Sequence, residues 1–201
     1  TGGTEEVLGD RVAILDATLD ASGANGGGEF KIGGDFQGQG LIPNAEHSHI
    51  SEETIITADA LVSGNGGQVI VWADDTTQFF GDITARGGVE SGDGGFVEVS
   101  GSNNLTFDGT VDVSASAGIN GELLLDPRNV IIGLLNDSDA ELNDGQILFD
   151  DGSEDTFRIS STRVAEILDS SNVTIAASEQ ITVETDIDAS GNAGENGLEL
   201  S

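Results

Sequence analysis

The chain of 201 residues has no cysteine, no methionine and no tyrosine, and carries only two prolines and one tryptophan. Without cysteine there is neither a disulfide framework nor a thiolate zinc site. Positive charge is nearly as scarce. Six Lys and Arg face 37 Asp and Glu, giving a formal charge of −31, and Lys31 is the only lysine. Nucleic-acid phosphates and anionic membrane surfaces need clustered cations, so both are excluded as partners. No apolar run approaches the roughly 20 residues of a membrane-spanning helix, which excludes insertion by a helix. Hydrophobic residues make up only 36% of the chain. Short runs of Leu, Ile, Val and Phe nevertheless recur from end to end. A disordered acidic segment lacks such runs, so a packed core is expected.

What the chain has in abundance is glycine, 30 residues in all, and internal repetition. One pattern recurs: an apolar residue, a small or polar stretch, a Gly/Asn/Asp-rich turn, and an alternating strand. The copies begin at Leu19, Leu61, Ile83, Val111 and Ile187. They lead to Phe30-Lys31-Ile32, Gln68-Val69-Ile70-Val71, Phe96-Val97-Glu98-Val99, Leu123-Leu124-Leu125 and Leu198-Glu199-Leu200. Period-two alternation marks the ends of the copies as strands, and the Asn-Gly, Asp-Gly and Gly-Gly pairs supply tight turns. Further short strands are expected at Ile55-Ile56-Thr57, Leu105-Thr106-Phe107, Asn129-Val130-Ile131-Ile132 and Asn172-Val173-Thr174-Ile175.

Three strands of about five residues plus turns make one coil of about 20 or more residues. That period predicts an all-β, parallel β-helix rather than a sandwich, because a sandwich has no reason to repeat its turn chemistry. Two segments break the pattern. Residues 41–53, with Pro43, His47 and His49, read as a loop leaving the coil. Residues 133–172 read as an acidic insertion against the side or edge of the stack, ending in one short helix at 160–168. There Val164, Ile167 and Leu168 share a face and Ser160 or Ser161 supplies the cap. The whole of 1–201 is expected to be a single segment excised from a longer protein.

The series Gly66-Gly67-Gln68-Val69-Ile70-Val71-Trp72-Ala73, Phe79-Phe80-Gly81-Asp82-Ile83-Thr84-Ala85-Arg86-Gly87-Gly88, Gly94-Gly95-Phe96-Val97-Glu98-Val99-Ser100-Gly101 and Gly121-Glu122-Leu123-Leu124-Leu125-Asp126-Pro127 is distinctive. It resembles the repeat region of the filamentous-haemagglutinin-like large exoproteins of Gram-negative bacteria and cyanobacteria. The resemblance implies a right-handed parallel β-helix from the shaft of an adhesin exported by two-partner secretion. It further implies a secreted or cell-surface location. The partners implied are a host or neighbouring cell surface, glycan or biofilm matrix, and the rest of the same long chain. No catalytic role is implied.

Candidate sites are few. His47 and His49 are the only histidines, two apart and paired with no particular serine, so they read as loop residues rather than a base. The acid pairs Asp74-Asp75, Asp150-Asp151 and Asp108/Asp112 would suit a polysaccharide-acting enzyme, but the few scattered arginines do not. Calcium is the one cofactor the sequence suggests, because it takes six to eight oxygen ligands. Asp137, Asp139, Glu141, Asp144, Asp150, Asp151 and Asp155 form the richest oxygen cluster, and a calcium-binding extracellular module is therefore an alternative reading. Trp72, Phe79 and Phe80 are candidates for sugar stacking or for the core. Asn103, Asn104, Asn120 and Asn129 are candidates for stacked corner ladders.

Overall fold

In the computed structural model, residues 1–133, 157–188, 190 and 196–201 are described. The described chain passes repeatedly through three sheets. The first coil is β1 (Thr4–Val7), β2 (Arg11–Ile14) and β3 (Thr18–Asp20). The second is β4 (Glu29–Ile32), β5 (His47–Ile50) and β6 (Ile55–Thr57), and the third is β7 (Gln68–Ala73), β8 (Thr76–Phe79) and β9 (Asp82–Thr84). The fourth is β10 (Phe96–Gly101), β11 (Asn104–Phe107) and β12 (Thr110–Asp112). Every named pairing between strands is parallel, and each strand of a coil bonds to its counterpart in the next. This is an all-β, parallel β-helix-like fold.

The core follows from that register. Alternation turns every second side chain inward. The inward residues then stack in columns: Phe30, Val69, Val97, Leu123 and Val173 in the first sheet, and Ile50, Phe79 and Phe107 in the second. Leu19, Ile56, Ile83 and Val111 form the column of the third. Leu61, the expected start of the second repeat, is not in that column. It is 55% exposed, and Ile56 takes its place. The turn after β6 carries the exposed Leu61-Val62 pair, which mimics a strand lead without reaching the interior.

The corners explain the glycines. At the turn into the first sheet, a Cβ on Gly67 would meet the carbonyl of Gly28, and one on Gly95 the carbonyl of Gly67. The corner is stacked so closely that no side chain fits. At the end of the third sheet the same backbone N–H needs an acceptor in each coil. Asp20 takes it from Ser22 at 2.8 Å, Asp112 from Ser114 at 2.9 Å, and Asp188 from Ser190 at 3.0 Å. Where Thr57 and Thr84 replace the aspartate, the preceding coil supplies the acceptor: Ser22 for Asp59 and Asp59 for Arg86.

Two departures correct the sequence reading. The excursion expected at 41–53 occupies 33–46, and His47–Ile50 is a ladder strand paired with β2 on one side and β8 on the other. Its polar composition hides this, because Ser48 points inward and donates its hydroxyl to the Trp72 carbonyl at 2.7 Å. Of the insertion expected at 133–172, residues 134–156 lie outside the described residues, and the part that follows them is built into the stack. After β13 (Glu122–Leu125) and β14 (Asn129–Gly133), β15 (Phe157–Ser160) enters the second sheet between β11 and β14. Helix α1 (Ser161–Ile167) then packs on β12, with the Ser160 hydroxyl accepting from the Arg163 N–H at 2.9 Å as its N-cap. Val164, Ile167 and Leu168 are its buried face. β16 (Asn172–Ile175) and β18 (Leu198–Leu200) extend the first sheet, and β17 (Gln180–Val183) the second.

Candidate functional site

The most enclosed polar group lies on the outer face of the first sheet. Outward residues Lys31, Ile70, Glu98, Leu124 and Thr174 share one register row. Such a row ordinarily faces water. Here the segment 33–46 lies across it as a strap, and Glu98 and Ile70 have no exposed surface. The strap is closed at its base by the Ala45 N–H donating to the Gly33 carbonyl at 2.6 Å. Gly33, Gln37, Gly38 and Gly40 all have positive φ, so the strap lies flat on the sheet. A Cβ on Gly38 would enter the Trp72 indole, which fixes that residue as glycine.

Glu98 accepts the Gln37 backbone N–H on both oxygens, at 3.2 and 3.1 Å. Burial pushes its carboxyl up to about 7, against the opposing pull of that N–H and of Ser100. Asp126 is likewise raised by burial, with the Gln37 side-chain amide 3.5 Å away. Lys31 turns its ammonium to Asp35 at 2.8 Å and Glu29 at 3.4 Å. Phe36 meets Phe96 edge to face at 5.8 Å, and Asp74 accepts both the Trp72 indole N–H at 2.9 Å and the Asn44 amide at 2.8 Å. Sequence reasoning did not single out Glu98. Its strand was expected, but its cover comes from 61 residues earlier in the chain.

The residues nominated from sequence are dispersed. His47 and His49 lie on β5 and are buried, not loop residues; His49 Nδ1 is 3.1 Å from the Gln78 side-chain oxygen, and burial lowers its pKa. Asp74 holds Trp72 and Asn44, while its neighbour Asp75 accepts from Asn103 at 3.0 Å. Asp108 accepts from Arg163 at 3.3 Å, and Asp112 caps its own turn. Those acids have structural partners and do not converge as a reactive pair. The calcium candidates Asp137, Asp139, Glu141, Asp144, Asp150, Asp151 and Asp155 lie outside the described residues. Among the described residues no three His, Asp or Glu side chains are grouped to hold a metal ion. Trp72 is covered by the strap, Phe79 is in the core, and Phe80 points out beside His49 at 5.8 Å.

The four asparagines expected to form stacked corner ladders do not stack on one another and take separate partners. Asn103 bridges Asp75 and Arg128, Asn104 donates to Thr76 at 3.3 Å, and Asn120 donates to Asn196 at 3.1 Å. Asn129 opens β14 opposite Gln180. Beside the glycine corner runs an open trough of about 1090 Å³, floored by Gly27, Gly66 and Gly94 and edged by Gln68, Phe96 and Glu122. Its depth reflects missing side chains at the corner. No protein-family model matches this chain, and no curated protein is similar to it.

Proposed function

We propose that this chain is a structural shaft segment of a secreted bacterial surface adhesin of the filamentous-haemagglutinin-like kind. It holds contact surfaces for cells, glycans or matrix away from the cell that makes it. The observation that carries this reading is the in-register parallel ladder: column on column of apolar side chains, with glycine recurring at the corner into the first sheet. Such an arrangement grows by adding coils and makes a stiff rod without any moving site. The resemblance of the Gly-Gly-strand series to exoprotein repeats supports it, and the dispersed acids offer no competing reactive centre among the described residues. Strong negative charge keeps long filaments apart in solution.

The test is twofold. Antibodies raised against the purified chain should label intact producing cells without permeabilisation. Beads coated with the chain should bind cells, glycans or extracted matrix in a saturable way. Labelling that appears only after permeabilisation would overturn the surface assignment, and coated beads no stickier than bare ones across all three targets would overturn the contact role.

A further inference from the structure

We propose that the strap 33–46 is a latch on the outer face of the first sheet, shut while the Glu98 carboxyl is protonated and loosened when it ionises. The geometry for this is unusual. Glu98 is wholly buried, yet the one lysine in its register row is committed to Asp35 and Glu29. Among the described residues the charges that act on it, Asp35 on the strap and Asp126 after β13, share its sign. β7 presents the neutral Ile70, and β10 itself presents Ser100. The Gln37 N–H, held in a left-handed turn at φ 52°, and Ser100 favour the carboxylate, and burial outweighs both.

The strap itself is lightly anchored. Of its own side chains only Ala45 is buried: Phe36 touches Phe96 from an exposed position, Leu41 is fully exposed, and Gly34 and Gly38 rest on the Trp72 indole. The other ties are polar, Lys31 to Asp35, Asn44 to Asp74 and Gln37 to Glu98 and Asp126. Segments with few buried apolar contacts open at low free energy. Opening returns water to Glu98 and Asp126, and both are relieved by it once ionised. It also bares Ile70 and Trp72. Closure is therefore favoured most at low pH and weakens as the pH climbs through the range in which the buried acid loses its proton.

Amide exchange read residue by residue by NMR, corrected for intrinsic rates, tests this on the whole chain. A shift from 4.5 to about 7 makes the expected loss of Gln37 protection about 300-fold between pH 4 and pH 8. Amides of the core columns, such as Val97, should keep theirs. In Glu98→Gln most of that pH dependence should disappear, leaving only the smaller part that Asp126 contributes. Trp72 is the only tryptophan, so acrylamide quenching gives a second reading: greater at pH 8 than at pH 5 in the parent chain, and closer to equal in the variant. Gln37 protection that is flat with pH in the parent chain, or that falls in step with Val97, overturns the latch. So does an unchanged pH dependence in Glu98→Gln. Should that variant not fold, the comparison of Gln37 with Val97 in the parent chain decides alone.

Discussion

Arg86 closes on Asp59 of the preceding coil with three donors: its own backbone N–H at 2.8 Å, Nε at 3.0 Å and Nη2 at 2.6 Å. The carboxylate is almost wholly buried while the guanidinium remains half in water. Its geometry is the planar fork on a carboxylate that lysine cannot reproduce. Replacing the acid leaves a buried backbone donor and the guanidinium without their acceptor. Asp59→Ala should lower stability by about 1–3 kcal/mol, read from the midpoint of urea unfolding. Arg86→Lys should lose part of the same amount, and a variant as stable as the parent would show that the pair contributes nothing.

The Phe79 and Phe107 rings stack at 5.4 Å with an interplanar angle of 14°, at the centre of the second sheet's column. Both are fully buried. Phe79→Ala removes a ring whose space the coils above and below cannot close, because their backbones are tied to one another. The expected cost is about 3–5 kcal/mol by calorimetry or denaturant titration. Phe79→Leu should recover most of it.

Glycine serves two different purposes, and alanine separates them. Gly67→Ala would drive a methyl group into the Gly28 carbonyl and should cost about 1–3 kcal/mol. Gly197 has open space where its Cβ would lie, so Gly197→Ala should be within about 0.5 kcal/mol of the parent. Equal effects at the two positions would contradict the stacked corner.

Two buried groups give stability opposite pH slopes. Glu98 is raised to about 7, so its contribution is full below its ordinary value of 4.5 and is lost as the pH rises through 7. Glu98→Gln should therefore gain about 3 kcal/mol relative to the parent on going from pH 4 to pH 8. His49 is lowered by burial, so its contribution is present above 6.5 and is lost as the pH falls. His49→Gln should flatten the acid side of the stability profile. Thermal midpoints measured across pH 4–9 for the three proteins check both slopes.

How much of this could be read from sequence depends on where the cause lies. The columns Leu19, Ile83 and Val111 were legible because each coil repeats its own apolar lead and turn chemistry. Ile56 was missed for Leu61 because the turn after β6 carries an apolar pair at the surface. β5 was missed because Ser48 turns its hydroxyl inward to the Trp72 carbonyl and His49, on the outer face, lies against Gln78, a matter of partners 24 and 29 residues away rather than of local pattern. Glu98 lies in an alternating strand that gave no hint of its cover. A strap is a property of two distant segments meeting, and neither announces the other.

The out-of-order entry of β15 between β11 and β14 has a consequence for assembly. A chain emerging from its N-terminus can wind its first four turns as it appears, each templated by the last. The fifth level of the second sheet is bypassed and remains vacant until Phe157–Ser160 arrives. Elongation is thus not a simple zipper, and the distal portion cannot mature ahead of this late wedge. Pulse-labelled exchange during refolding should find Val130 and Ile132 gaining protection together with Ile159, after Phe79 and Phe107 are already secure.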